Sequence, residues 1–352
     1  MLYYIPVKIY EESNAIANHT QDLKALGSTA LIVTGKSSAK KCGALSDIEA
    51  ALNSADIKHF LFDQVEENPS TDTILAATDY AKDKNIDFVI GIGGGSPMDA
   101  SKAIALMLKN PTKGLDFMYD KSAKTSALPV VAIPTTCGTG SEATGVSVLT
   151  RHDTQSKGSI PHKIFPTLAL CDYKYLKKLP EKVLKSSAID ALCHAAESLI
   201  HAKSTEYSEM FAMEALRYLG PSLKALVKNQ VSDELLNNLL HASTLAGMAI
   251  AHTGTALPHA LSYRLTYDDS ISHGFACAYF LPDYVKISSF EYKNKLLNVL
   301  ILTSEQELST IISALCDFSD IKKETVEKSL TEVKNNPAKL STAPFDVSIL
   351  FN

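Results

Sequence analysis

Asp190 and His194 are the side chains whose types and spacing first suggest chemistry. They stand four apart in Ala188-Ile189-Asp190-Ala191-Leu192-Cys193-His194-Ala195-Ala196-Glu197. In a helix that spacing sets both on one face, one turn apart. Their neighbours are almost all apolar, so the carboxylate is expected in a buried place, where it needs a cation or strong donors. Two further histidines, His259 in Leu257-Pro258-His259-Ala260-Leu261 and His273 in Ser272-His273-Gly274-Phe275, are separated by Asp268-Asp269-Ser270 and so belong to different helices. One carboxylate with three imidazoles suits a divalent transition metal, Fe(II) or Zn(II), with positions left open for substrate. A single histidine in such a setting is more often a satisfied core residue than a ligand. His201, seven after His194, competes on the same helical face, and spacing does not exclude His241 and His252.

A second kind of chemistry is written in glycines. Gly91-Ile92-Gly93-Gly94-Gly95-Ser96-Pro97-Met98-Asp99 stands between an apolar run and a helical pattern. Glycines let a backbone approach a bulky anion, and the free N–H groups of the following helix point at it. Ser96 suits the helix cap and Pro97 the first helical position. A pyrophosphate fits here, although a tight turn needing glycine for steric reasons alone would read the same way. The pattern is not the usual GxGxxG after a first strand. A polar turn follows further on, Pro134-Thr135-Thr136-Cys137-Gly138-Thr139-Gly140-Ser141-Glu142. Its hydroxyls can serve ribose or phosphate oxygens, or simply their own backbone.

The elements that must carry these residues follow from periodicity. Strands are expected at 30–34, 59–62, 87–91 and 129–133, with helices over 37–52, 70–84 (capped by Ser70 or Thr71) and from the glycine loop through Leu108. Strands alternating with helices imply βαβ units and a parallel sheet. Beyond Pro180 long helical patterns dominate: 186–201, 204–219, 232–252 and amphipathic stretches to the C-terminus. The expected architecture is an α/β nucleotide-binding domain over 1–179 and an all-α domain over 180–352, with a ligand in the cleft between them.

Composition narrows the classes. With 352 residues, 45% of them hydrophobic, the chain can build a sizeable core. A formal net charge of −5 argues against a nucleic-acid partner and for a small molecule. The six cysteines form no CxxC pair and read as reduced thiols of a cytoplasmic protein. The N-terminus lacks the features of a signal peptide. The stretch from Leu235 to Tyr263 carries no formally charged side chain, yet its Asn, His, Gly and Pro residues are costly in lipid, so it reads as buried helix.

In order, spacing and wording, GGGSPMDASKAIA, PTTCGTGSEATGVSV, AIDALCHAAES and SHGFACA resemble the iron-containing (group III) alcohol dehydrogenase family over roughly residues 1 to 285. The resemblance implies an N-terminal domain binding NAD or NADP, followed by a helical domain. It also implies a metal held between them, Fe(II) favoured with Zn(II) as the alternative, on Asp190, His194, His259 and His273. The same carry-over gives Gly93, Gly94, Gly95, Ser96, Asp99, Thr135, Thr136 and Ser141 as cofactor contacts, with Lys157 a candidate for the ribose. The implied activity is hydride transfer between NAD(P) and a small alcohol or aldehyde, in a homodimer or higher homo-oligomer. Two other readings share the scaffold, a dehydroquinate synthase-like metal-dependent lyase and a non-catalytic cofactor-binding scaffold.

Departures from the family pattern are informative. Where members often carry a second histidine four after the third ligand, this chain has Tyr263, whose phenol could relay a proton or serve only structure. Arg264 beside it raises an anionic aldehyde, such as a phosphonate-bearing one, against the plainer reading of a solvated side chain. At Thr34-Gly35-Lys36, many NAD-using members resemble Thr-Asp; Gly35 removes that charge and Lys36 adds a cation. NADP is therefore expected to be tolerated or preferred. Initial rates titrated with each cofactor check this: comparable or better turnover with NADP is expected, and NADP working far worse than NAD would contradict it.

Overall fold

The computed structural model describes residues 2–351. They divide into two compact units, one of residues 5–136 and 141–179, the other taking Cys137–Gly140 and the chain from Pro180 onward together with the first few residues.

The first unit is built on a six-stranded parallel sheet. Its strands are β1 (Lys8–Glu11), β2 (Thr29–Thr34), β3 (Lys58–Phe62), β4 (Phe88–Gly93), β5 (Val130–Pro134) and β8 (Leu168–Cys171), in the order β1-β8-β5-β4-β2-β3. A separate antiparallel hairpin joins β6 (Val148–Arg151) to β7 (Ser156–Ser159). β4 and β5 are buried along their whole length, the near-continuous apolar run expected of parallel strands covered on both faces. Alternation sends Leu31, Val33, Val89 and Val130 to one face, packed with Ile74, Ile104 and Leu106. Ile32, Ile90, Val131 and Ile133 go to the other, packed with Ile48 and Leu52.

Two helices of this unit bear on the candidate site, α1 (Thr71–Ala81) and α2 (Gly95–Lys109). Ser70 caps α1, its hydroxyl accepting from the Thr73 N–H, as the sequence suggests. Three local expectations need correction. The helix over 37–52 is two helices, Ser38–Cys42 and Ala44–Ser54, parted at Gly43 with φ 94°. α2 is capped by Gly94 rather than Ser96, and its helical turns begin at Gly95. β1, β8 and the hairpin stand outside the four expected strands; each is only four residues long, too short for alternation to register.

The second unit is helical. Its central members are α3 (Glu181–Leu199), α4 (Glu206–Val227), α5 (Asp233–Thr253), α6 (Leu257–Asp268) and α7 (His273–Ile287). Side-chain oxygens of Thr205 and Ser232 cap α4 and α5. The uncharged stretch from Leu235 lies in α5 and α6 as buried helix, and no helix among the described residues is long and apolar enough to cross a membrane. Two close approaches set the packing. A Cβ on Gly274 would stand 1.9 Å from the Ser186 carbonyl oxygen, so only glycine lets α7 lie this near α3. Gly140 and Gly247 meet in the same way, a Cβ on either falling within 2.5 Å of the other's backbone.

Candidate metal centre and cofactor loops

The metal-type cluster is assembled from three helices, two of which, α3 and α7, meet at the Gly274 contact. α3 supplies Asp190 and His194, α6 supplies His259, and α7 supplies His273 at its first turn. Asp190 Oδ1 lies 3.4 Å from His259 Nε2, 3.9 Å from His273 Nε2 and 4.0 Å from His194 Nε2. Asp190, His194 and His259 are 3–5% exposed. The His194 and His259 rings stack with centroids 4.4 Å apart, and His273 meets His259 edge to face at 5.3 Å. The four side chains singled out in the sequence therefore converge.

These residues fit a cation. Asp190 Oδ1 and His259 Nε2 are buried and make no hydrogen bond, a costly state for two facing polar atoms. Ligand atoms bound to one ion at about 2.0–2.2 Å stand roughly 3 to 4.4 Å apart, depending on the angle between the bonds, and all three separations fall in that range. The outer nitrogens are already committed. His194 Nδ1 is 3.1 Å from the Gly138 carbonyl oxygen, which fixes that nitrogen as the donor and leaves Nε2 with its lone pair. His259 Nδ1 bonds Glu197 Oε1 at 2.5 Å, and the other Glu197 oxygen accepts from the Ala256 N–H. Glu197 lies seven after Asp190 on the same helix, fully buried. The sequence reading passed over it, although the i, i+7 spacing was there to be read.

The charges of these groups are tightly linked. Burial opposes ionisation of Asp190, but the imidazoles of His194, His273 and His259 outweigh it and hold the carboxyl well below its ordinary range. Burial lowers His194 and keeps it neutral, the form in which an imidazole binds metal. For His259 burial acts downward, while Cys277 and Glu197 raise it well above the usual value. Cys277, one turn after His273, is a further cluster member that the sequence reading missed. Its sulfur is 3.8 Å from His273 Nε2.

The competing histidines sit elsewhere. His201 lies past the end of α3, and its Nδ1 accepts from the Lys203 N–H. His241 meets Tyr218 edge to face, and His252 stacks on Tyr3. Tyr263, on α6 one turn after His259, lies parallel to the His273 ring with centroids 6.5 Å apart, and burial pushes its phenol up. Arg264 is held by Glu332 through contacts of 2.6–3.0 Å, so its cation is already occupied.

In the α/β unit the two polar loops leave the carboxyl ends of neighbouring parallel strands. Gly93 pairs with Pro134, and the Thr135 N–H donates to the Gly93 carbonyl at 2.8 Å. Crevices at such strand ends are where open α/β sheets bind ligands. Gly93 has φ 152°, and a Cβ there would strike Pro97 Cγ at 2.6 Å. A Cβ on Gly94 would press on Thr136 Oγ1 at 3.2 Å. Gly94, Gly95, Ser96 and Thr136 are partly exposed, whereas Thr135 is buried. Ser96 Oγ accepts from the Asn68 N–H, and Lys157 Nζ, on β7, donates to Asn68 Oδ1 at 2.6 Å. Asp99 and Ser141 are engaged with one another: Ser141 Oγ donates to Asp99 Oδ1 at 2.6 Å, and Asp99 Oδ2 accepts from the Val148 N–H. Beneath them Lys102, fully buried, donates to the Ser141 and Val146 carbonyls and to Ser141 Oγ. Gly35 leaves its turn without a side chain, and Lys36 beside it is exposed.

The family model for iron-containing alcohol dehydrogenase matches residues 6–173, and that for the C-terminal part of the Fe-containing alcohol dehydrogenase family matches residues 185–342. The chain belongs to the iron-containing alcohol dehydrogenases. Its activity is accordingly that of an oxidoreductase interconverting alcohols and aldehydes with NAD(P). Among its relatives, the sulfoacetaldehyde reductase of Bilophila wadsworthia is 29% identical over 91% of this chain and 83% of that protein. The NADPH-dependent butanol dehydrogenase of Clostridium saccharobutylicum is 29% identical over 82% of this chain and 74% of its own length. The crystal structure of the iron-containing alcohol dehydrogenase of Thermotoga maritima is 34% identical, with a TM-score of 0.90 over 98% of this chain and 95% of that one.

Within this family member, Glu197 orients His259. Glu197→Gln is expected to lower the affinity for a divalent cation by about 10–100-fold, the usual cost of losing an outer-shell carboxylate. Calorimetric titration of the metal-free protein checks it, and unchanged affinity would contradict the role.

Proposed function

We propose that this iron-containing alcohol dehydrogenase holds one divalent cation, Fe(II) first and Zn(II) as the alternative, on Asp190, His194, His259 and His273. It would use that cation to reduce small aldehydes or oxidise small alcohols. The observation that carries the reading is the approach of three imidazole Nε2 atoms to within 3.4–4.0 Å of a buried Asp190 oxygen. When bound, the cation supplies Lewis-acid polarisation of the substrate oxygen, and the dinucleotide supplies or accepts the hydride.

The remaining work belongs to the chain. Glu197 and the Gly138 carbonyl hold the outer nitrogens of His259 and His194, so both rings offer Nε2 inward. The phenol of Tyr263, kept protonated by its burial, donates a proton at Oη to the oxygen of the forming alcohol and takes it back in the reverse direction. On the cofactor side, the Gly93–Ser96 turn and the N–H groups opening α2 receive the pyrophosphate, with Thr135 and Thr136 beside it. Asp99 and Ser141, engaged with Lys102, are positioning residues for that turn, and Lys157 reaches it through Asn68. The bare turn at Gly35 with Lys36 next to it leaves room for a 2′-phosphate, so NADP is accepted alongside NAD. Pairing of Arg264 with Glu332 supports an uncharged substrate over an anionic one at that residue.

A screen of small alcohols and aldehydes with both cofactors, on protein loaded with Fe(II) or Zn(II), tests the reading. Turnover is expected in the loaded protein and a loss of about 10²–10³-fold or more in Asp190→Ala and His273→Ala, the scale for removing support of developing charge. Near-normal rates in either variant freed of metal would overturn the assignment.

A further inference from the structure

The set of four ligands that the family resemblance implies leaves out one donor that the fold brings to the same place. The ligand atoms of Asp190, His259, His273 and Cys277 all lie within 4.8 Å of one another. Cys277 follows His273 by one turn of α7, so both side chains issue from the same face of that helix. Its side chain is fully buried. Two buried atoms facing it, Asp190 Oδ1 and His259 Nε2, have no hydrogen-bond partner, so the cluster is aimed at a ligand.

The distances suit a shared ion. With a metal–sulfur bond of about 2.3 Å and a metal–nitrogen bond of about 2.0–2.1 Å, sulfur and nitrogen on one five- or six-coordinate ion stand roughly 3.1 to 4.4 Å apart. Cys277 Sγ and His273 Nε2 are 3.8 Å apart. Besides its weak contact to His273, the sulfur lies within reach of three metal-type donors at once, which packing of its volume does not require.

We propose that Cys277 is a ligand of the metal centre, adding a thiolate to the carboxylate and imidazoles and biasing the site toward thiophilic cations such as Zn(II) and Co(II). On binding, the S–H proton passes to solvent and a sulfur–metal bond forms; nothing is oxidised or reduced. Soft sulfur favours zinc and cobalt over Mn(II) and Mg(II), which prefer oxygen. This deepens the metal-centre reading and rests on it.

Metal-free protein is titrated with Co(II), and the near-ultraviolet spectrum and bound stoichiometry are read together. The expected result is one Co(II) per chain with a thiolate-to-cobalt charge-transfer band. In Cys277→Ser the band disappears, and Zn(II) affinity falls by about tenfold or more while Mn(II) affinity changes less. One Co(II) bound without the band, or a band that survives in Cys277→Ser, overturns the inference and leaves the metal centre standing. No bound Co(II) at all overturns both. Should Cys277→Ser not fold, X-ray absorption on the zinc-loaded native protein decides: a sulfur at about 2.3 Å supports the thiolate, and a shell of nitrogen and oxygen alone refutes it.

Discussion

A carboxylate placed in an apolar helical interior dominates this molecule. Asp190 is 4% exposed, yet one of its oxygens accepts no hydrogen bond. An ionised group in that condition costs several kcal/mol unless a cation or donors compensate. Three imidazoles draw near it without bonding it, the outer nitrogens of two of them already taken by Glu197 and Gly138. Those outer contacts turn Nε2 of His194 and of His259 toward the Asp190 oxygen. The helical unit gives up packing freedom for this: Gly274 must be glycine because α7 rests on the Ser186 carbonyl, and that contact sets His273 beside Asp190.

The α/β unit solves a different problem with the same economy of side chains. Its two polar loops leave adjacent strand ends. Glycine at 93 and 94 lets the loops pack closely, since a Cβ would meet Pro97 or Thr136, while support comes from below, where the ammonium of Lys102 gathers Ser141, Val146 and Asp99. Burial pulls the Lys102 pKa down, with Asp99 and Glu142 pulling against it. The polar residues nearest the turn thus divide between those that face outward, such as Ser96 and Thr136, and those that hold the turn in place.

Much of this was legible in the sequence because helical spacing maps directly onto a face. Asp190 with His194 follows from periodicity, His259 and His273 were singled out with the help of the family resemblance, and the structure brings all four together. The same rule pointed to Glu197 and Cys277, each one or two turns from a named ligand, yet a glutamate and a cysteine among alanines carry no motif of their own. His201 illustrates the opposite failure, since its spacing was right but the helix ends before it. In the sheet, long apolar runs such as 88–93 were readable, whereas β1 and β8 were not. Four residues supply too little pattern, and β1 gains its strand character from pairing with β8, each residue with one 160 positions away. Ser96 looked like a cap because serine is a good one, but the glycines let the helix begin two residues earlier.

One cation sharing Asp190 with the imidazoles is the centre of the proposed site. Crystals grown with Fe(II) or Zn(II), with diffraction recorded on both sides of that metal's absorption edge, address it directly. The expected anomalous map holds a single strong peak per chain, about 2.0–2.2 Å from an Asp190 oxygen and from Nε2 of His194, His259 and His273. A map with no peak there, or with its peak on other residues, would contradict it.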